Sequence, residues 1–384
     1  MSGQITVSEV RNRMTASLDE QLTQINLVTN TAARKLNERQ KLDYREERRR
    51  CMKWLLVEGN DPEYVEGYAL GTVKPRSYRM DQFYRWVWDF EGGYTTAVTH
   101  DHADQYLDDL AYKDTGNAHK NNCLKALKML FKWRHYDYGD DPWEPNRRFK
   151  QEKRKPRDYF SRAERKQIKQ AALEYGSVPH YNSLSSTQRD QWKVYLAQRF
   201  EMPKDEVTRE EFERANSWKI PSLIWTSMDA GFRPIEVKRS RVQWVDLENK
   251  LLRIPKDDSS KTRDNWEVAL TEKTVQFLRR WLEERSNYEK YDETDAIWLT
   301  RQANPYDTYS IRYVLQKLCE VAGIETKGRM ISGYAIRHST GTYVNSKSDL
   351  KTTADQLRQK SIESAAKYAH SPVEERRKHL EQLE

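Results

Sequence analysis

The stretch Ser217-Trp218-Lys219-Ile220-Pro221-Ser222-Leu223-Ile224-Trp225-Thr226-Ser227-Met228-Asp229-Ala230-Gly231-Phe232-Arg233-Pro234-Ile235-Glu236-Val237 decides the fold. Its first part is rich in Trp, Ile and Leu and reads as a buried helix from Ser217 to Ala230. Gly231 ends that helix, because glycine takes the left-handed C-terminal position without a Cβ penalty, and Pro234 is pre-set for the first position of the next helix. Arg233 is thereby placed at the corner between two helices. Downstream, Val242–Val245, Leu251–Ile254 and Trp266–Leu270 read as three strands, joined at Glu248-Asn249 and by the polar loop 256–265. The remainder is helical again, so the expected class is mainly α with a small antiparallel β-sheet.

Upstream, residues 45–145 read as an all-helical domain. Ser77–Phe90 places Tyr78, Phe83, Trp86, Val87 and Phe90 on one side. Thr99 suits the N-cap of a helix buried through Ala103, Tyr106, Leu107 and Leu110. Asn121–Trp133 turns Leu124, Leu127 and Phe131 inward, while Lys125, Lys128 and Lys132 form a basic stripe at i, i+3, i+7. Residues 1–44 read as one amphipathic helix, from the recurrence of Val7, Val10, Met14, Leu18, Leu22, Ile25, Val28 and Ala32. Arg45, Arg48, Arg49, Arg50 and Lys53 follow, placed to face phosphate. After an extended linker at 146–157, Ser161-x-x-Glu164 makes a capping box that opens a helix stopping near Gly176. This begins a second domain, 158–384, in which the polar stretch 177–216 looks inserted and Thr208-x-x-Glu211 caps a helix.

Charge is distributed unevenly. Lys plus Arg minus Asp plus Glu is 67 − 59 = +8 over 384 residues. The linker holds Arg147, Arg148, Lys150, Lys153, Arg154, Lys155 and Arg157 against Glu152 alone, so it carries most of the excess. A basic strap of this kind is an electrostatic footprint for a polyanion, most simply the DNA backbone. Three scattered cysteines, Cys51, Cys123 and Cys319, argue against disulfide scaffolding and structural zinc, and suit a reducing compartment. No apolar run approaches the ~20 residues of a membrane span, and no signal-peptide core is present; the expectation is a cytoplasmic protein with no membrane partner.

Four local features carry chemistry together, though each is weak alone. They are Arg233 at its corner, Lys261 in the loop between two strands, Arg337 in Tyr334-Ala335-Ile336-Arg337-His338 near a helix start, and Tyr368 in Lys367-Tyr368-Ala369-His370. Breaking a phosphodiester without metal needs a nucleophile, cations on the non-bridging oxygens and an acid for the leaving oxygen. Tyr368 suits the first role and Lys261 the last. Arg233 and Arg337 can clamp the phosphate in bidentate fashion, which lysine does less well.

The ordered set Gly-Phe-Arg-Pro-x-Glu, strand-loop Lys, Ile-Arg-His-Ser and Tyr-x-His resembles the tyrosine recombinase (phage integrase) family. Arg337 follows Arg233 by 104 positions and Tyr368 follows Arg337 by 31, spacings that look right for the family. Leu357-Arg358-Gln359-Lys360-Ser361 falls where that family has Leu-Gly-His-Ser. The wording of Ser339–Gly341 and of Ser371–Arg377 is most similar to integrases of archaeal plasmids and viruses. The resemblance covers roughly residues 45–384. It implies a helical core-binding domain, a catalytic domain, and site-specific recombination of double-stranded DNA through a 3′-phosphotyrosine. It also implies a tetramer on DNA and no cofactor, neither ATP nor metal. Two positions depart from the pattern: Tyr334 and Gln359 stand where the family usually has histidine, or at the second position histidine or tryptophan. Gln359 can donate a hydrogen bond but cannot shuttle a proton. The terminal segment Ser371-Pro372-Val373-Glu374 reads as a capping box opening a last charged helix.

Two readings of other kinds stand beside this one. His100-Asp101-His102-Ala103-Asp104 has the form of a metal motif and would point to a metal-dependent hydrolase, but no later His/Asp cluster completes it. A recombinase fold that binds DNA without turnover would fit Tyr334 and Gln359, and a type IB topoisomerase would share the phosphotyrosine chemistry.

Overall fold

The computed structural model describes residues 18–150, 158–259, 264–369 and 371–383. The chain divides into two compact units between Arg154 and Lys155, and each is built around its own apolar core.

The first unit is a bundle of four long helices: α1 (Glu38–Val57), α2 (Leu70–Phe90), α3 (His100–Tyr112) and α4 (Asn117–Tyr138). Tyr44, Met52, Leu55, Phe83, Tyr84, Val87, Leu107, Leu130 and Trp133 fill its centre. Tyr78 and Phe90 lie off the buried face of α2, being 44% and 53% exposed. The described segment before α1, residues 18–37, is not one continuous helix; Val7, Val10 and Met14 lie outside the described residues. The segment is helical over 18–23, breaks, makes a single turn at Asn30–Ala33 and breaks again before α1. Thr29 caps that turn, and Asn37 with Gln40 forms a capping box on α1. Short polar side chains that bond to nearby backbone favour such breaks over an unbroken helix. The apolar stripe remains useful: Leu22, Ile25, Ala32 and Leu36 are buried in this unit's own core.

The second unit begins with α5 (Arg162–Glu174), opened by the Ser161–Glu164 capping box. Residues 177–216 form a turn at Tyr181–Ser183 and the helices α6 (Ser186–Phe200) and α7 (Arg209–Arg214) around a separate small core of Val178, Trp192, Leu196, Val207 and Phe212. The central helix α8 (Lys219–Ala230) is buried nearly all round, as its composition implies, and packs on α5, α10 (Glu272–Arg285) and α12 (Gly333–Asn345). Gly231 ends it at φ +54°, and Pro234 opens the short α9 (Pro234–Arg239). The sheet is antiparallel in the order β1 (Val245–Asp246), β2 (Leu251–Ile254), β3 (Trp266–Ala269), with Leu252 opposite Val268 and both buried. The first strand is shorter than its sequence implies, because Val242–Trp244 is a 3-10 turn that buries the Trp244 ring. The chain then runs through α10, α11 (Thr308–Val321), α12, α13 (Leu350–Gln356), α14 (Ile362–Ala365), a 3-10 turn Ala366–Tyr368, and α15 (Val373–Glu381). Among the described residues, no helix is long and apolar enough to cross a membrane.

Candidate active site

Glu236 is the centre of the site. It is 2% exposed and lies in the first turn of α9, where it accepts the Arg233 N–H at 2.7 Å. Three guanidinium groups converge on its carboxylate. Arg233 donates from Nη1 at 2.5 Å and Arg358 from Nη2 at 2.8 Å, while Arg337 lies 3.8 Å away. Burial by itself would raise the Glu236 pKa, but Arg358, then Arg233 and Arg337, hold it well below the ordinary carboxylate range. A buried carboxylate survives only with such compensation.

The same arginines are fixed by the helix corner. The left-handed turn at Gly231 presents its carbonyl to Arg337 Nη1 at 2.8 Å and to Arg358 Nη2 at 3.4 Å. Only glycine fits there, since a Cβ would lie 2.4 Å from Leu357 Cδ2. Arg337 also donates from Nη2 to the Leu357 carbonyl at 2.6 Å, and Arg358 from Nη1 to Ala230 and Gln356 carbonyls at 2.9 and 2.8 Å. The Arg358 carbonyl in turn accepts from Arg233 Nη2 at 3.2 Å. Each Arg337 Nη nitrogen bears a second hydrogen, so Arg337 remains a donor to a further ligand. Burial first, and then the charges of Arg233 and Arg358, pull the Arg337 pKa down to about 10.

Three arginines against one carboxylate leave a net charge of about +2 in a largely desolvated corner, which suits an oxyanion. Of the three, Arg358 is not in the expected set. In sequence it belongs to the stretch Leu357–Ser361, where only Gln359 is expected to take part. Arg358 has φ +54°, a conformation that favours glycine and costs another residue about 1–2 kcal/mol.

Tyr368 lies in the 3-10 turn after α14 and is 1% exposed. Its ring packs with Ala354, Leu357 and Ala365 and lies 5.4 Å from the His338 ring. Gly341 of α12 makes room for it, for a Cβ there would be 2.7 Å from Tyr368 Cδ1. Its oxygen acts electrostatically on Arg337. Gln359 is buried, and its Oε1 has no hydrogen-bond partner among the described residues. Since amide oxygen and nitrogen are interchangeable by a flip, that end can equally present a donor. Tyr334, one turn before Arg337, is 38% exposed at the rim.

Lys261 lies outside the described residues; on its C-terminal side, Asp264 and Ala269 bond to the segment 356–360. Lys360, next to Gln359, pairs with Asp264 at 2.8 Å, and Gln356 bonds both backbone groups of Ala269 in β3. Lys360 is thus engaged with the β2–β3 hairpin. Arg233, Arg337, Gln359 and Tyr368 therefore belong to one constellation, with Tyr334 at its edge.

The described members of the expected DNA-contacting set lie in the first unit. Arg148 and Lys150 are exposed, as are Lys125 and Lys128; Lys128 pairs with Glu144 at 3.5 Å and Arg147 with Asp108. Lys132 differs, because its ammonium donates to the carbonyls of Gly59 and Asn60 at 3.0 Å and ties the end of α1 to α4. Arg48 is not phosphate-facing at all: it is 1% exposed and donates to the Ser77 carbonyl. Arg50 pairs with Asp137. Lys153, Arg154, Lys155 and Arg157 lie outside the described residues. The His100–Asp104 motif serves the start of α3: His102 accepts from Thr99 N–H and contacts Glu91, while Asp104 accepts from Trp143. At the other end, Glu374 does not form the expected capping box; Pro372 is the N-cap of α15, and Glu374 accepts from Arg162 N–H and Tyr343 hydroxyl.

Solved structures share this architecture. The XerH site-specific recombinase bound to its difH substrate in a pre-cleavage complex is 14% identical, with 93% of this chain and 92% of that chain covered and a TM-score of 0.53. The XerH post-cleavage complex with palindromic difH is 13% identical, with 92% and 90% covered and a TM-score of 0.52. XerA recombinase is 17% identical, with 88% and 98% covered and a TM-score of 0.43. No curated protein matches the chain. Residues 212–375 match the model of the phage integrase family, a span that contains Arg233, Glu236, Arg337, Arg358 and Tyr368, and the chain has a tyrosine recombinase fold.

Proposed function

We propose that this protein is a site-specific DNA recombinase that cleaves and rejoins double-stranded DNA through a 3′-phosphotyrosine at Tyr368. The observation that carries the reading is the convergence of Arg233 and Arg337 on one buried corner, with a surplus of positive charge and Tyr368 beside it. The two guanidiniums bind the non-bridging oxygens of the scissile phosphate. The Tyr368 hydroxyl loses its proton to water as its oxygen attacks phosphorus, the bond to the 5′ oxygen breaks, and that oxygen takes a proton from Lys261. The Gln359 amide donates to a phosphoryl oxygen, and Tyr334 borders the bound strand. A 5′-hydroxyl of a partner duplex then attacks the phosphotyrosine, restoring the phosphodiester and the free tyrosine. The phosphoester bond energy is kept throughout, so the cycle needs neither ATP nor metal. The basic strap at 146–157, with Lys125 and Lys128, grips the backbone, and strand exchange proceeds in a tetramer on DNA.

Tyr368 is covered in this structure, so on DNA the turn that bears it has to shift and bring the hydroxyl to the phosphate. That burial, together with Tyr334 and Gln359, favours a second reading in which the fold binds DNA without turnover. The test incubates wild type and Tyr368→Phe with DNA flanking the gene, in EDTA, on nicked substrates that trap the intermediate. An SDS-resistant protein–DNA adduct with wild type alone supports the recombinase. Binding by both proteins with no adduct establishes the second reading.

A further inference from the structure

On the face of α5 and α12 away from the Gly231 corner lies a cavity of about 380 Å³ lined by Arg162, Arg165, Lys166, Lys169, Tyr343 and Lys347. Five of its six lining residues are cations. Arg162 pairs with Glu375 of α15 at 2.6 Å. Among the described residues, Arg165, Lys166, Lys169 and Lys347 form no ion pair within 4 Å. Arg165 spends its guanidinium on neutral acceptors: the hydroxyls of Ser339 and Thr340 at 2.7 and 3.2 Å and the Met228 carbonyl at 3.1 Å. Lys169 places its ammonium 5.1 Å over the Trp225 ring.

Like charges gathered in a partly desolvated cavity repel, and a fold keeps them at a cost unless an anion joins them. The neighbours show the strain. Burial lowers the Lys169 pKa, with Asp229 opposing and Arg165 and Lys273 adding to the fall, and burial lowers that of Arg165 as well. Among the described residues, the rim carboxylates Glu374 and Glu375 bond Arg162, Tyr343 and Ser346. Asp229 offsets part of the charge on Arg165 and Lys169, and the remaining surplus of positive charge is open to a ligand. The cavity is at the small end of ligand sites, which run from about 300 Å³ upward.

The geometry points to an oxyanion site here that binds a phosphate group, separate from the Arg233–Arg337 corner. The two are held apart by α8 and α12: Arg165 bonds Thr340 and Met228 from one side, while Arg337 bonds Gly231 from the other. The inference does not depend on the recombinase reading, since it rests on residues outside that site. The phosphate has two possible sources, a free polyphosphate or the backbone of a duplex, and one experiment separates them.

Isothermal titration of the full chain with inorganic pyrophosphate is compared for wild type, Lys166→Glu/Lys347→Glu, Lys125→Glu/Lys128→Glu and Arg233→Ala. All four lysines are exposed, so the paired variants retain the fold, and Lys166→Ala/Lys347→Ala repeats the test with a smaller change. The expected result is two separable pyrophosphate sites: the Lys166/Lys347 pair loses roughly tenfold or more in affinity at one, Arg233→Ala loses the other, and the Lys125/Lys128 pair changes less than either. Loss in Arg233→Ala with none in the Lys166/Lys347 pair overturns the proposal, as does an equal loss in both lysine pairs. A 20-base-pair duplex that displaces pyrophosphate, and whose binding loses about two units of salt slope in the Lys166/Lys347 pair, identifies the source as DNA. A duplex indifferent to that pair leaves a free polyphosphate as the ligand.

Discussion

Replacing Glu236 by glutamine keeps the volume of the side chain and removes the charge on which three guanidiniums lean. Breaking a buried ion pair by deleting one partner costs about 3–5 kcal/mol, because the remaining charge stays buried without compensation. Here the exposed fractions of Arg358, Arg337 and Arg233 side chains are 2%, 3% and 12%, so none is rescued by water. The amide oxygen still accepts one of the bonds from Arg233 N–H or Arg358, which sets the expectation near the lower limit, about 3 kcal/mol. Since the chain has two units, the loss should be read locally, by amide exchange in α8, α9 and α12, rather than from a single global transition. A loss below about 1 kcal/mol would show that the carboxylate is not the keystone of the corner. The pH dependence gives an independent check. Glu236 is held below its ordinary value of 4.5 in the folded protein. Its contribution is therefore full above that value and is lost as pH falls from there toward the depressed folded value. The gap in stability between wild type and Glu236→Gln should narrow from about pH 5 down to about pH 3, and a gap that stays constant would contradict the assignment.

Arg358→Gly relieves about 1–2 kcal/mol of left-handed strain but gives up a buried pair, for a net loss of about 1–3 kcal/mol in the same exchange measurement; a gain in stability would sink the role given to Arg358. Gly341→Ala drives a methyl into the Tyr368 ring and, at 2.9 Å, into Leu357. It should cost about 1–3 kcal/mol and raise nitration of Tyr368 by tetranitromethane, read by mass spectrometry; unchanged nitration would mean that α12 yields instead of the ring. Arg148→Glu with Lys150→Glu should flatten the log–log salt dependence of duplex binding by about two units, and an unchanged slope would remove the strap's described portion from the DNA contact.

Much of this architecture can be read from local signals. Capping boxes at Ser161 and Thr208, the Gly231 stop and the Pro234 start all lie where short-range rules put them, because each depends on a few bonds to adjacent backbone. What escapes is decided at long range. Arg48 sits in a run of basic residues that looks solvated, and only the packing of α1 on α2 buries it. Glu236 belongs to the quoted motif, yet its meeting with Arg358, 122 positions away, is invisible along the chain. Glu374 has the spacing of a capping residue but finds better partners in Arg162 and Tyr343. The expected continuous helix is broken before α1 for the opposite reason: Thr29 and Asn37 cap new helical starts locally, and an apolar period does not register such caps.

On the proposed reading, the charge of the corner bears on how chemistry proceeds without the side chains that the resembled pattern has at positions 334 and 359. Glu236 against Arg233, Arg337 and Arg358 nets about +2. With glycine at position 358 it would net about +1. A phosphodiester carries one negative charge in the ground state and two once the tyrosine oxygen has added, so a corner of +2 is neutralised only in the transition state. A histidinium could supply the second charge, but neither Tyr334 nor Gln359 carries one. On the proposed reading Arg358 supplies it from behind Arg233 and Arg337, which face the phosphate. On this argument Arg358→Gly lowers the rate of adduct formation on nicked DNA by more than it lowers affinity for the duplex. Equal falls in the two would mean that its charge serves only to hold Glu236.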